Sequence, residues 1–196
     1  MARSLAFAAP AALLLALTAC TSGGGAGAPT AAPSVAAAAS QTDCVTGTWE
    51  LDTTDAANVV LQYLIGLGAP VSDARADGPV VLEFGDDGSA RYRTGVTYDF
   101  TADAGGVGME IMQAQTGSAT GEWGWAGSSE TVMEFSGWTT DVATTNTVEI
   151  GGMAADFPLA IPDLGPGSTP LTITCSADRL TTKADAAPFT LRWTRG

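Results

Sequence analysis

From Asp43 to the C-terminus, apolar and polar residues alternate with a period of two, which belongs to strands rather than helices. Val45, Gly47, Trp49 and Leu51 share one face of an extended segment; Thr46, Thr48, Glu50 and Asp52 share the other. The same pattern returns around Val80-Leu82-Phe84, Tyr92, Val96-Tyr98-Phe100, Trp123-Trp125, Met133-Phe135, Leu171-Ile173-Cys175 and Phe189-Leu191-Trp193. Strands of this kind bury one face and wet the other, as antiparallel sheets do. Turn residues such as Asp86-Asp87-Gly88-Ser89 separate them. About eight to ten such strands close into a barrel or stack as a sandwich. One helix interrupts them at residues 55–67, where Ala56, Val60, Tyr63, Leu64 and Leu67 recur at helical spacing. Asp52 or Thr53 caps its start, and Gly66 and Gly68 stop it. Pro158, Pro162, Pro166 and Pro170 exclude a central strand or a helix from residues 151–170. That stretch is either a lid or a crossover that buries its own Phe157, Leu159, Ile161 and Leu164.

The first nineteen residues follow different rules. Arg3 is their only charge, residues 5–17 are apolar, and Leu17-Thr18-Ala19 leads into Cys20. A basic start, a short apolar run and small residues before a cut form a secretory signal. The run is shorter than the roughly 20 residues a bilayer span needs. Leu17-Thr18-Ala19-Cys20 resembles the lipobox of bacterial lipoproteins. The resemblance implies that residues 1–19 are removed and that Cys20 is lipidated, becoming the first mature residue. The protein is then anchored on the extracytoplasmic face of the cell membrane. Residues 21–42 carry no charge and little but Gly, Ala, Pro, Ser and Thr. Such a stretch buries too little surface to offset its ordering entropy. It is read as a tether, leaving residues 43–196 as one domain with room for a core.

All 21 acidic residues lie beyond Cys20, against seven of the eight basic ones, so the mature chain carries 7 − 21 = −14. That surface repels nucleic acid and anionic head groups. It serves solubility or attracts a cationic partner. Attachment to the membrane therefore falls to the lipid chains. With Cys20 lipidated, Cys44 and Cys175 remain, and an even pair in an exported chain favours a disulfide. A metal or redox pair would need histidine or a Cys-x-x-Cys spacing, and the chain has no histidine.

The domain opens on Cys44-Val-Thr-Gly47-Thr-Trp49 and ends on Trp193-Thr-Arg195. Gly-x-Trp on a first strand resembles the opening motif of lipocalins and related calycin barrels. In those barrels a basic residue from the end of the chain packs over the first-strand Trp and closes one end. The resemblance assigns these parts to Gly47, Trp49 and Arg195, with Arg192 as the other basic residue on that strand. They mark the fold rather than a ligand site. It implies an all-β fold, an antiparallel lipocalin-like barrel of about eight to ten strands with one short helix after the first. The family's Thr-Asp-Tyr motif is not intact, since Val142 follows Thr140-Asp141.

A barrel of this size is hollow or packed. The inward set would include Tyr92, Tyr98, Phe100, Met109, Ile111, Trp123, Met133 and Phe135. Aromatic and thioether walls suit an adaptable apolar pocket, and they suit an ordinary β core equally. Catalytic patterns are missing. Ser128-Ser129-Glu130 has no base beside it and no Gly-x-Ser-x-Gly around it. Gly105-Gly106-Val107-Gly108 lacks the dinucleotide-binding spacing, and Asp86-Asp87 alone offers too few oxygens for calcium. The expectation is a lipid-anchored binding protein holding a small apolar ligand, with no enzymatic activity, cofactor, metal or nucleic acid. The alternative is a filled barrel that serves as a structural or protein-interaction module of the cell envelope.

Overall fold

In the segment Ser89–Asp103 every second residue, from Ala90 to Ala102, is buried, and the residues between them face outward apart from half-buried Thr97. This alternation builds an antiparallel β-sheet that accounts for most of the described residues. The computed structural model describes residues 40–155, 165–167, 169–185, 187 and 189–196. The expected signal, Cys20 and most of the tether lie outside them, as do residues 156–164 and 168 of the proline-rich stretch. No helix among the described residues is long and apolar enough to cross a membrane.

The chain opens with a short helix, α1 (Gln41–Val45), whose start is capped by the Ser40 hydroxyl accepting from Asp43 N–H. Regular structure thus begins two residues ahead of the expected boundary at Asp43. Strand β1 (Gly47–Leu51) follows, then helix α2 (Thr53–Gly66). Asp52 caps α2 by accepting from Asp55 N–H at 2.9 Å. Ala56, Ala57, Val60 and Leu64 form its buried stripe, which packs against the next strand and the last. Leu67, expected in that stripe, is exposed because the helix ends one residue before it.

The remaining strands are β2 (Val71–Asp77), β3 (Val80–Phe84), β4 (Ser89–Asp103), β5 (Gly108–Trp125), β6 (Val132–Thr140), β7 (Ala143–Ile150), β8 (Met153–Ala155), β9 (Leu171–Ser176), β10 (Arg179–Ala184) and β11 (Leu191–Arg195). Tyr92 and Val96–Phe100 belong to one long strand rather than two, and so do Met109 and Trp125. Residues 104–107, with Gly105 and Gly106, form the turn between them. Strands β2 and β7 carry too little apolar alternation to be read from sequence.

Neighbouring strands run β2-β4-β3-β1-β11-β10-β9-β6-β5-β7-β8, and β4 also pairs with β5 from Ser89↔Glu122 to Asp103↔Gly108. The pairings β4-β3-β1-β11-β10-β9-β6-β5 therefore lead back to β4. The β4–β5 hairpin is longer than this circuit. Its far half takes β2 on one side and β7 on the other, with β8 at the edge. Strand β5 changes partner from β6 to β7 at Gly117, where φ is +133°. A Cβ there would lie 2.7 Å from Asp141 O and 2.8 Å from Val142 Cα, so glycine lets the β6–β7 connection cross.

Candidate functional site

The two ends of the domain meet. Strands β1 and β11 pair through Trp49↔Arg195, Glu50↔Thr194 and Leu51↔Trp193. Asp52 N–H to Arg192 O and Gly196 N–H to Thr48 O extend the ladder beyond them. Trp49 and Trp193 are both buried, and the Arg195 guanidinium carbon stands 4.3 Å from the Trp49 ring centroid. The guanidinium also donates to Cys44 O at 2.6 Å, Thr46 O at 3.1 Å and, through Nε, Ala177 O at 3.0 Å. Gly47 explains the first element of Gly-x-Trp. Its φ is +130°, and a Cβ would sit 2.7 Å from Arg195 Nη1. The glycine therefore clears the seat that the guanidinium occupies. Arg192 does something else, pairing with Asp55 at the start of α2.

Cys44 and Cys175 are bonded, with Cα atoms 5.9 Å apart, within the normal reach of a disulfide. Cys175 lies on the buried face of β9, in phase with Leu171 and Ile173. Because Cys44 is in α1, the bridge ties that helix to β9. Trp125 Nε1 donates to Thr42 Oγ1 at 2.8 Å, and Trp49 Nε1 donates to Val45 O at 2.7 Å. Four strands thus hold a five-residue helix.

The proposed pocket residues do not converge. Tyr92, Tyr98, Phe100, Met109, Ile111 and Met133 are buried, while Trp123 and Phe135 are half-buried. Tyr92 and Phe100 are eight positions apart on one strand, about 26 Å at the usual rise. Phe100 faces Ile111 and stacks near Tyr98 in the far half of the hairpin. Trp123 and Phe135 instead gather around Phe84, with ring centroids 5.5 and 6.4 Å from it. Their shared parity put them on one face, but the length of β4 and β5 spreads them along it. A cavity elsewhere, between Leu82, Pro166, Leu171, Phe189, Leu191 and Trp193, measures about 30 Å³. That is room for about one water molecule.

Two polar features were not foreseen. Gln113 and Gln115 are buried on the inner face of β5. Gln115 Nε2 donates to Gln113 Oε1 at 3.1 Å, and Gln113 Nε2 to Asn146 Oδ1 at 3.0 Å. Their spacing from Met109 and Ile111 was the available signal. On the outer face of β2, β4, β5 and β7, an open concavity of about 440 Å³ is lined by Asp73, Asp99, Glu110 and Glu149 with Arg75. Arg75 pairs with Asp73 at 3.2 Å, and Glu110 stands directly opposite Glu149.

The Ser129 hydroxyl is engaged with Thr131 Oγ1, and the Glu130 carboxylate accepts from Gln41 N–H. Among the described residues no group of three or more Cys, Asp or Glu is arranged to hold a metal ion. Two exposed carboxyls are held below the ordinary carboxylate range. Asp141 is lowered by the backbone N–H and then the hydroxyl of Ser118, and Asp87 by the hydroxyl and then the backbone N–H of Ser89. Both are turn anchors. No family model, curated protein or solved structure matches the chain.

Proposed function

We propose that this chain is a bacterial lipoprotein, anchored through Cys20 on the extracytoplasmic face of the membrane. Its domain is a filled lipocalin-like barrel that works as a structural or protein-interaction module of the cell envelope. The observation that carries this reading is the interior. Trp49, Leu82, Tyr98, Met133, Leu180 and Trp193 are all buried, and the cavity lined by Leu82 and Trp193 measures about 30 Å³. A drug-sized apolar ligand occupies a cavity of roughly 300 Å³ or more. The barrel part of the proposal rests on the circuit of strand pairings and on Arg195 over Trp49. The lipoprotein part rests on Arg3, the apolar run and Leu17-Thr18-Ala19-Cys20. Contact with the partner then falls to the outer surface, and the mature chain carries a net charge of −14.

Two measurements test it. The mature protein, purified from its own host and sprayed under native conditions, should show the mass of the lipidated chain alone. A stoichiometric small molecule lost on unfolding would replace the module by an apolar-ligand carrier. In fractionated cells, Cys20→Ala should move the protein out of the membrane fraction. Unchanged firm attachment would remove the lipid anchor.

A further inference from the structure

Helix α1 is the root of the chain that leads to the proposed anchor, and its attachments are unusual for so short an element. Any pull on the residues before Ser40 reaches the domain through α1. The next element is β1, held by Gly47–Glu50 on β3 and by Trp49–Leu51 on β11. A strand of five residues pulled from one end would peel, losing its pairs one after another. The chain is instead bonded at Cys44, three residues before β1, to Cys175 of β9. In the order β1-β11-β10-β9 that strand is three places away. Arg195 of β11 grips Cys44 O and Thr46 O, and Trp125 of β5 holds Thr42.

We propose that the Cys44–Cys175 bridge, with Arg195, is a mechanical clamp that diverts tension on the anchor around β1 and spreads it over several strands. This rests on the lipid-anchored reading above. Tension enters at Cys44 and divides between the backbone into β1 and the covalent path into β9. Strand β1 cannot leave alone, because Cys44, three residues ahead of it, is fixed to β9, three strands away. The clamp lets an outer surface be held by a partner while the lipid is held by the bilayer, without opening the filled interior.

Single-molecule pulling on the full mature chain tests the clamp. One handle is attached to the native thiol of Cys20, where the lipid would be, and the other to Val107→Cys in the exposed β4–β5 turn. A second axis uses Val107→Cys with Met153→Cys in a Cys20→Ala chain, so that both handles lie away from α1. Removing the bridge with Cys44→Ser and Cys175→Ser should lower the unfolding force on the first axis about twofold and leave the second nearly unchanged. If the double variant does not fold, reduction of the bridge in folded chains already held between handles gives the same comparison. An equal loss on both axes would make the bridge a general stabiliser and overturn the clamp. So would no loss on the first axis. The handle replaces the lipid, so a failure of lipidation at Cys20 shows in cell fractionation and leaves the force result intact.

Discussion

The two seams that complete the strand circuit differ in construction. The β1–β11 seam joins the ends of the domain with three residue pairs, two further backbone bonds, the Arg195 contacts and a nearby disulfide. The β6–β9 seam has two residue pairs, Val132↔Thr172 and Met133↔Leu171, and one further bond from Ile173 N–H to Thr131 O. Sequence separation explains the contrast. Residues 49 and 195 are about as far apart as the domain allows, so the first seam carries the largest loop-closure entropy and is tied with side chains as well as backbone. Residues 133 and 171 close a shorter loop, and their seam relies on the ladder. Terminal strands are where fraying begins unless they are fastened.

The largest expected effects on this contrast are shared by Trp49→Ala and by loss of the disulfide. Trp49 fills the tied end and supports Arg195, and its removal should cost about 3–5 kcal/mol, read by denaturant unfolding. A cost under about 1 kcal/mol would mean that the indole is not central to the seam. Replacing Cys44 and Cys175 together with serine should cost about 4–5 kcal/mol on the chain-entropy model, or less where the unfolded chain retains structure.

The sequence made this tied end legible. Gly47, Trp49, Arg195, Cys44 and Cys175 were each identifiable because each type is restricted in what it does: a glycine before an indole, a terminal cation, an even cysteine pair. Alternation likewise exposed the all-β class and the core positions Leu82, Phe84, Tyr98 and Trp193. It failed where the inner face turns polar. Thr94, Gln113 and Gln115 are buried, so β4 reads in two pieces and β5 only at its Trp123-Trp125 end, although each is one continuous strand. It failed again at the edges, because β2 reads Val-Ser-Asp-Ala-Arg-Ala-Asp and the first five residues of β7 are exposed on both faces. Helix α1 is five residues long, too short for any periodicity. The distinction between a hollow and a packed interior was not legible, because the same aromatic residues serve both and only their spacing along the strands separates them.

Arg195→Ala should have a smaller effect than Trp49→Ala, about 1–3 kcal/mol, since it removes a cation over a ring and charged hydrogen bonds but no core volume. Arg195→Lys should recover only part of this, because an ammonium cannot make the same set of contacts. Full recovery in thermal melts would reduce the contact to charge alone. The smallest effect belongs to Asp141, which anchors the β6–β7 connection near Gly117. Its carboxyl is lowered in the folded state, so its contribution is complete above the unfolded carboxylate pKa and is lost as pH falls through the folded value. Wild type should therefore melt slightly above Asp141→Asn at neutral pH, and the gap should close in acid. A gap that widened in acid would contradict the assignment.

The comparison of the seams is tested most directly by native-state hydrogen exchange, followed strand by strand at increasing denaturant. Amides of β1 and β11 should exchange only with global unfolding, whereas those joining β6 to β9 should exchange through a smaller opening at lower denaturant. Exchange of β1 and β11 at or before that of β6 and β9 would show that the termini are the weak point, and would contradict the account of how this sheet is held together.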